Sequence, residues 1–315
     1  MEEFQENRKR MNCTLCGGEL KPQLLEVRDP LTEETFSIER CLGCGLGHTV
    51  PQPENLTPYY AFPYYGNRHG FTLPRCIKRR LGFVQSVVQP GSGQRLLDIG
   101  CGDGSFLWAA RNMGWEVMGT ELNPQPARDS GLDVRAGIEQ VDQEGQFDCV
   151  TMWHTLEHMR DVKSTLIQIG TLLKPDGRLI IAVPDSSGFQ AKIFGRKWLH
   201  LDVPRHLVHF DANSLAYCLR AAGYSIDRQW HQEFEYDLLG WSQSALNCII
   251  PYPNVFFDVL TGKRKKHETW VTVSGFVLAM VLTVLAVPLV AAGRLAGRGG
   301  TVVVAAYRAR EQHRA

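Results

Sequence analysis

The segment LLDIGCGDGSF, residues 96–106, decides the fold of this chain. The run Arg95–Ile99 that leads into it predicts a short buried strand, and a helix is predicted over Ser105–Met113. Between them, three glycines let the backbone turn tightly and bring a ligand against the N-terminus of the helix. Their G-x-G-x-G spacing is one residue shorter than the dinucleotide fingerprint. The segment therefore predicts a ligand site at a strand-to-helix turn.

Two carboxylates flank this loop. Asp98 lies at the end of the first strand, where it would repel a pyrophosphate and attract an ammonium group. Glu121 ends the second predicted strand, Val117–Glu121, 23 residues after Asp98. That is the position from which an acidic side chain accepts hydrogen bonds from ribose hydroxyls. A ribose and a cation without a pyrophosphate describe S-adenosylmethionine better than NAD.

Four ordered segments carry a family resemblance: LLDIGCGDGSF, GTELNP, FDCVTMWHTLEHM and LLKPDGRLIIAVP. Together they resemble successive motifs of class I S-adenosylmethionine-dependent methyltransferases, over roughly residues 95–230. The resemblance implies that the loop glycines hold the methionine moiety, that Glu121 holds the ribose and that residues 137–139 lie near adenine. The alternative is a glycine loop used only for a turn. The implied cofactor-binding residues are Asp98, Gly100, Cys101, Gly102, Gly104, Glu121, Leu122, Gly137, Ile138 and Trp153.

The fold class predicted from this pattern is α/β, a Rossmann-like doubly wound sheet with an antiparallel final strand. Asp161 is the predicted N-cap of a helix that stops at the sequence Lys-Pro-Asp-Gly, residues 174–177, and Asp211 caps another helix. The class I resemblance implies that the last strand of the sheet runs antiparallel. Further strands are predicted over Phe147–Trp153, Arg178–Val183, Tyr224–Trp230 and Thr301–Tyr307.

Composition excludes several classes of protein. Of the 315 residues, 44% are hydrophobic and 21% charged, as in a packed soluble protein rather than a disordered or polytopic membrane chain. The formal net charge of +1 gives no overall basic footprint for nucleic acid. Nine cysteines are too few for a disulfide scaffold, and no apolar signal peptide is seen at the N-terminus. A reducing cytoplasmic compartment is therefore expected.

Four cysteines have the spacing of a metal site. Cys13, Cys16, Cys41 and Cys44 form two CxxC pairs, each followed by a glycine. Two such knuckles predict a tetrahedral structural zinc site, a zinc ribbon, with a redox CxxC as the alternative. The predicted domains are the ribbon (residues 11–50), a Pro/Tyr-rich linker (51–75), the methyltransferase domain (76–235 plus 300–310) and an apolar insertion (236–299).

Two histidines are the predicted catalytic residues. His154 follows the strand that ends at Trp153, and His206 lies in a histidine-rich segment on the expected acceptor side. Histidine suits proton removal from an acceptor hydroxyl near neutral pH. For both, a structural role is an equal alternative. Arg205 and Trp198 are predicted to contact the acceptor, with Arg205 holding an acidic head group.

An apolar segment interrupts this soluble pattern. Trp270–Gly293 contains no charge, and its 24 residues would span about 36 Å as a helix. A single crossing would separate the last strand from its sheet, and basic residues flank both ends (residues 263–266, Arg294 and Arg298). We therefore expect a re-entrant or monotopic insertion at the cytoplasmic face of a membrane. A single spanning anchor and a helix buried in a dimer core are the alternatives.

The position of the apolar insertion predicts the kind of acceptor. It leaves the fold near the acceptor side, which predicts a lipid-linked acceptor and a membrane lipid surface as partner, with no nucleic acid. Because similar zinc-ribbon starts resemble those of methyltransferases in polysaccharide pathways, a sugar or surface glycolipid is the first prediction. An O-methyltransferase of isoprenoid quinone biosynthesis and a non-catalytic, membrane-tethered S-adenosylmethionine-binding module are the alternatives.

Overall fold

The computed structural model describes residues 11–60, 70–91, 93–142, 144–261 and 269–309. Within these residues the strands form two sheets. The strands are β1 (Leu20–Arg28), β2 (Thr35–Cys41), β3 (Gly47–Val50), β4 (Arg95–Ile99), β5 (Glu116–Thr120), β6 (Val134–Arg135), β7 (Phe147–Trp153), β8 (Leu173–Pro184), β9 (Val208–His209), β10 (Tyr224–Trp230) and β11 (Thr301–Arg308).

The larger sheet confirms the predicted fold class. Its seven strands lie in the order β6-β5-β4-β7-β8-β11-β10, and β4 is parallel to both of its neighbours. Only the final strand, β11, runs antiparallel, inserted between β8 and β10. The central strand is apolar and closed to solvent, since Leu96 and Leu97 are both 0% exposed. The glycine loop therefore begins at the carboxyl end of a rigid central strand.

Helices connect the strands and cover both faces of this sheet. Asp161 caps its helix as predicted, because its carboxylate accepts a hydrogen bond from the Ser164 amide at 2.9 Å. Asp211 and Ser214 form a reciprocal capping box at the start of another helix. The helices are α1 (Leu73–Val87), α2 (Ser105–Asn112), α3 (Gln125–Asp129), α4 (Val162–Leu172), α5 (Phe189–Phe194), α6 (Ala212–Ala221), α7 (Phe234–Ile249), α8 (Val255–Leu260) and α9 (Thr269–Leu295).

Some boundaries differ from the prediction. Strand β8 begins at Leu173 rather than Arg178, because Leu173 already pairs with Phe147. The predicted turn at residues 174–177 forms an irregularity in the pairing of β7 with β8. Regular pairing resumes between Arg178 and Cys149. Helix α1 begins at Leu73, inside the predicted linker, and residues 61–69 of that linker lie outside the described residues.

The smaller sheet joins the N-terminal cysteine region to the rest of the chain. Its order is β1-β2-β3-β9, so three strands of the predicted ribbon are extended by Val208–His209. Gly47 pairs with His209 and His48 pairs with Val208. We call residues 11–60 the N-terminal module. The module shares a strand pair with the chain segment that carries His206.

The apolar insertion is a helical hairpin, which we define as α7, α8 and α9. Along it, Gly275 of α9 faces Ile250, Ala279 shares a cluster with Leu246, and Ala286 shares one with Trp241. The two long helices are therefore antiparallel. Helix α9 is long and apolar enough to cross a membrane, with a mean hydropathy of 2.5, and its C-terminal end returns to the body, where the Phe189 amide donates to the Arg298 carbonyl at 3.0 Å. The basic residues 263–266 lie outside the described residues.

Within the described part of the chain, only one face of α9 is covered. Val271, Ala279, Ala286 and Val290 are at most 4% exposed and form a stripe at helical spacing towards α7. On the opposite face, large apolar side chains are 53–70% exposed: Trp270, Val273, Val277, Val281, Val284 and Leu285. The hairpin thus presents a continuous apolar surface with the length of a 27-residue helix.

Candidate active site

The glycine loop has the backbone conformation that its sequence predicts. Gly100, Gly102 and Gly104 have φ angles of +75°, +59° and +80°, a region that other residues rarely adopt. A Cβ atom on Gly100 would lie 2.5 Å from the Thr155 hydroxyl oxygen, so packing also requires glycine there. At Gly102, by contrast, no described atom lies within 4 Å of the position of a Cβ. The loop therefore leaves open space beside its central glycine.

Asp98 and Glu121 face this space with different environments. The Asp98 carboxylate is buried and accepts a hydrogen bond from the Thr151 hydroxyl at 2.6 Å. Burial raises the pKa of Asp98 to about 7. The Glu121 carboxylate accepts hydrogen bonds from the Gly102 and Leu122 amides at 2.8 and 2.9 Å. One bond to each oxygen leaves further lone pairs of Glu121 for ribose hydroxyls.

A single cavity of about 820 Å³ begins at this loop. The volume lies within the range of about 300–1,000 Å³ that is typical of ligand sites. Open space, two carboxylates and exposed loop backbone together fit S-adenosylmethionine. The predicted cofactor residues that line the cavity are Asp98, Gly100, Cys101, Gly102, Glu121 and Trp153. Among those described, Gly104, Leu122, Gly137 and Ile138 were also predicted and do not line it.

The first predicted catalytic histidine is paired with a buried carboxylate. His154 Nε2 lies 2.6 Å from the Glu233 carboxylate, and both side chains are at most 6% exposed. Burial by itself lowers the pKa of His154, but Glu233 and Glu157 raise it above its ordinary value. The φ angle of His154, +53°, is a strained value at the end of β7. The Nε2 atom of His154 is therefore engaged by Glu233 and is not free to accept a proton from an acceptor.

The second predicted catalytic histidine has the properties of a base. His206 Nδ1 lies 3.0 Å from the His200 carbonyl oxygen, which can only accept a hydrogen bond. In the neutral ring Nδ1 therefore carries the proton and Nε2 keeps its lone pair. Burial lowers the pKa of His206, although Glu157 and Asp202 oppose the shift. His206 lines the cavity, so a neutral imidazole nitrogen is available on the acceptor side.

Glu157 lies between the two histidines. Its carboxylate is 1% exposed, 3.6 Å from His154 Nδ1 and 3.8 Å from His206 Nε2. Neither carboxylate oxygen has a hydrogen-bond partner among the described residues. Burial raises the pKa of Glu157, but the nearby imidazoles of His154, His206 and His158 together lower it to about 2. An ionised, buried carboxylate thus sets the electrostatics of both imidazoles.

The two predicted acceptor contacts have different outcomes. Arg205 lines the cavity, but it is paired with Asp29 at 2.9 Å and Asp202 at 2.6 Å. Its charge is therefore neutralised, and the prediction that it holds an acidic head group loses its physical basis. Trp198 is 4% exposed, donates a hydrogen bond to Gln190 at 3.2 Å and does not line the cavity. The large apolar side chain of Trp198 lies in a core cluster instead.

Several functional candidates were missed from the sequence. Glu233, 79 positions from His154 along the chain, also accepts a hydrogen bond from Arg80 at 2.7 Å. The Tyr236 ring stacks on His154, with centroids 3.7 Å apart, and on His200 at 4.2 Å. The one available signal was the placement of charged and aromatic residues directly after β10, in an otherwise apolar stretch.

The far end of the cavity is apolar and is formed by the hairpin. There, α7, α8 and α9 contribute mainly apolar side chains, together with the polar groups of Glu235, Ser242, Asp258 and Thr283. The cavity therefore runs continuously from the glycine loop past His206 to the hairpin. The apolar lining residues are Phe234, Leu238, Leu239, Phe256, Phe257, Leu260 and Met280.

The four predicted metal ligands come together in the N-terminal module. Their sulfur atoms lie within 4.8 Å of one another, with Cys13–Cys44 and Cys16–Cys41 separations of 3.5 and 3.4 Å. Four sulfurs bound to one zinc ion lie about 3.8 Å apart, given a Zn–S distance of about 2.3 Å. The residues present therefore fit a tetrahedral four-thiolate site.

Comparisons with known proteins agree with this geometry. A family described as a methyltransferase domain matches residues 71–229, half of the chain. The chain is 28% identical over 166 residues to a ubiquinone biosynthesis O-methyltransferase of Xanthomonas axonopodis pv. citri, covering 47% of this chain and 69% of that protein. To the protein of the same name from Bordetella bronchiseptica it is 30% identical over 162 residues, covering 46% and 67%.

Solved structures support the fold. The cyclase SpnF aligns with a TM-score of 0.50 at 19% identity, over 81% of this chain and 92% of that one. Phosphoethanolamine N-methyltransferase 2 of Haemonchus contortus, in complex with S-adenosyl-L-methionine, aligns with a TM-score of 0.50 at 18% identity, over 81% and 58%. At these identities the likeness concerns the fold alone.

Proposed function

The chain belongs to the methyltransferase-domain family and is an S-adenosylmethionine-dependent methyltransferase, and on this premise we propose that it methylates a hydroxyl group of an acceptor with an apolar tail. One observation carries the proposal: a single cavity connects the glycine loop to the apolar hairpin. A polar acceptor group at His206 and a tail at the hairpin would both be accommodated there.

Different residues of the chain would bind the cofactor and remove the proton from the acceptor. S-adenosylmethionine, when bound, supplies an electrophilic methyl group. Gly102 and Glu121 would hold it through loop backbone and carboxylate. His206 would take the proton from the acceptor hydroxyl at Nε2, and the His200 carbonyl oxygen keeps that ring oriented through Nδ1. Glu157 would stabilise the imidazolium that forms, from 3.8 Å away.

Charge and relatedness favour a quinone precursor over a glycolipid as the acceptor. The ubiquinone biosynthesis relatives are named as O-methyltransferases. In this chain, the two buried guanidinium groups of the cavity, Arg80 and Arg205, are each already paired with carboxylates. A lipid-linked sugar carried on a phosphate would meet no buried, unpaired arginine among the described lining residues, and the third lining arginine, Arg75, lies at an exposed position. We therefore place an uncharged phenol ahead of the glycolipid.

Turnover of defined acceptors tests this function. We expect methyl transfer from labelled S-adenosylmethionine to a catechol that carries an isoprenoid tail. The same catechol without its tail should show about 10²-fold lower kcat/KM, because it forgoes roughly 3 kcal/mol of apolar burial. Thin-layer separation of labelled products measures both. Equal rates for the two catechols, or labelling of a polyprenyl-linked sugar alone, would contradict the proposal.

The exposed face of α9 supports monotopic association with a bilayer. An exposed apolar surface of this length marks an interaction site in a soluble protein. Because β10 and β11 are paired in one sheet, the hairpin leaves and returns on the same side. Arg294 and Arg298 lie at its returning end, where basic side chains are attracted to anionic head groups. A bilayer surface would also present a lipid-borne acceptor close to the cavity.

Charged substitutions on α9 test the association. The double variant Val284→Asp, Leu285→Asp should bind anionic vesicles about 10²- to 10⁴-fold more weakly, since each exposed side chain forfeits roughly 1.5–3 kcal/mol of burial. Vesicle co-sedimentation measures the effect. Ile167→Asp, on the exposed face of α4 (48% exposed), serves as the matched control and should bind like the wild type. Equal binding of all three proteins would overturn the proposal, as would protease protection of a tag after Ala315.

A further inference from the structure

We infer that the N-terminal module forms one wall of the acceptor site and positions His206. This inference rests on the proposed function, because it concerns the acceptor side of the same cavity. Pro30, Leu31 and Tyr59 of the module line the cavity beside His206 and Arg205. A module that supplied stability alone would have no need to reach the acceptor space.

A strand pair and a side chain hold the His206 segment from the module. Strand β3 pairs with β9, and the Thr49 amide donates to the Leu207 carbonyl at 3.0 Å. The Thr49 hydroxyl donates to the carbonyl oxygen of His206 itself at 2.6 Å. Thr49 thus fixes the backbone of His206 and Leu207, directly before β9. Because the backbone at His206 is held in this way, the position of its imidazole is fixed as well.

A buried ion pair makes a second link. Asp29 lies in the turn after β1, and its carboxylate is 0% exposed. One of its oxygens accepts from Arg205 at 2.9 Å, and the other accepts from the Thr32 amide and hydroxyl at 2.8 and 2.9 Å. Arg205 is the residue directly before His206. A buried ion pair of this kind specifies geometry more than it adds stability.

The cysteine knuckles connect to the same strand. Cys41 ends β2, its amide donates to the Leu46 carbonyl at 2.9 Å, and β3 starts at the next residue, Gly47. On β3, His48 Nε2 lies 3.4 Å from the Cys13 sulfur. Closure of the knuckles around a metal therefore sets the course of β3. Loss of that closure would be transmitted through Thr49 to His206.

The test compares three threonine variants in the full chain. Thr49→Val removes the hydroxyl that reaches His206 and should lower kcat about 10- to 100-fold, because small displacements of a reacting group have costs of that size. S-adenosylmethionine affinity, measured by calorimetry, should stay within twofold. Thr49→Ser should restore kcat. Thr35→Val, at an exposed position at the start of β2 in the same sheet, should behave like the wild type.

Amide hydrogen exchange gives a readout that does not depend on turnover. In Thr49→Val, and in full-length protein stripped of metal by a chelator, amides of residues 203–210 should exchange at least tenfold faster. Amides of β4 should keep their protection. The inference fails if Thr49→Val matches Thr35→Val in both assays, or if chelation leaves residues 203–210 protected. The inference also fails if chelation weakens S-adenosylmethionine binding to the same extent that it increases exchange at residues 203–210. If the wild type shows no turnover, the proposed function is wrong. The exchange experiment still tests this inference in that case.

Discussion

Replacing His206 by glutamine is expected to lower the rate of methyl transfer about 10²- to 10⁴-fold, the usual contribution of a general base. Cofactor affinity should not change, because His206 lies on the acceptor side of the cavity. The geometry behind this expectation is the His200 carbonyl oxygen, 3.0 Å from Nδ1, which leaves Nε2 as the proton acceptor. Single-turnover rates with the tailed catechol measure the effect.

The pH profile sharpens this prediction. A base must be neutral to act, so the wild-type rate should fall as pH falls through the pKa of His206. Burial lowers that pKa below its ordinary value, which places this loss on the acidic side of neutrality. The His206→Gln variant should lack that limb. As a control, His231→Gln should retain both rate and profile, since His231 bonds to Gln229 and does not line the cavity. Normal turnover by His206→Gln together with an inactive His154→Gln would reverse the assignment.

Alanine at Gly102 is expected to weaken S-adenosylmethionine binding by about 10- to 100-fold. The φ angle of +59° adds strain, but the larger effect comes from the open space beside this glycine. A methyl group placed there would occupy volume that the ligand needs, and overlaps of this size typically cost about 1–3 kcal/mol. Calorimetry measures the affinity, and thermal unfolding measures the strain.

Gly114→Ala is the matched control for this variant. Gly114 also has a left-handed conformation, φ +95°, and no described atom lies within 4 Å of its Cβ position. Both variants should therefore lose similar stability, while only Gly102→Ala loses cofactor affinity. If both kept full affinity, the space beside Gly102 would not be the cofactor site.

The central sheet could be predicted because its signals are local. The strand Arg95–Ile99, the glycine turn and the helix that follows lie within a few residues of one another. The same holds for the caps at Asp161 and Asp211. Even the last strand was recognisable, since Thr301–Arg308 is a short apolar run that follows the insertion. Where sequence and structure differ, as at Leu173, the difference concerns the extent of pairing rather than the order of strands.

The acceptor side could not be predicted in the same way. Its interactions join residues far apart in the sequence, such as Arg205 with Asp29, 176 positions away. His154 and His206 were equal candidates from the sequence because their partners, Glu233 and the His200 carbonyl, are supplied by folding. Trp198 shows the opposite error, since an aromatic side chain in a promising segment was placed at the surface of the site but packs in the core.

The apolar helix illustrates a third limit. A sequence that is apolar on every face has no period from which a buried side can be read. Only the positions of Ala279, Ala286 and Val290 against α7 show which face is covered. The packing of α9 on α7 shows a helical hairpin, which hydropathy alone does not indicate.

The carboxylates around the glycine loop have a consequence for turnover. Asp98, Asp103 and Glu121 line this end of the cavity, and the arginine beside it, Arg80, is paired with Glu233. An acidic enclosure attracts a sulfonium cation more strongly than the uncharged thioether left after methyl transfer. If these side chains bind the methyl donor as proposed, we expect them to hold the spent cofactor less tightly. Electrostatics then favours exchange of the spent cofactor for a fresh methyl donor, without a conformational change.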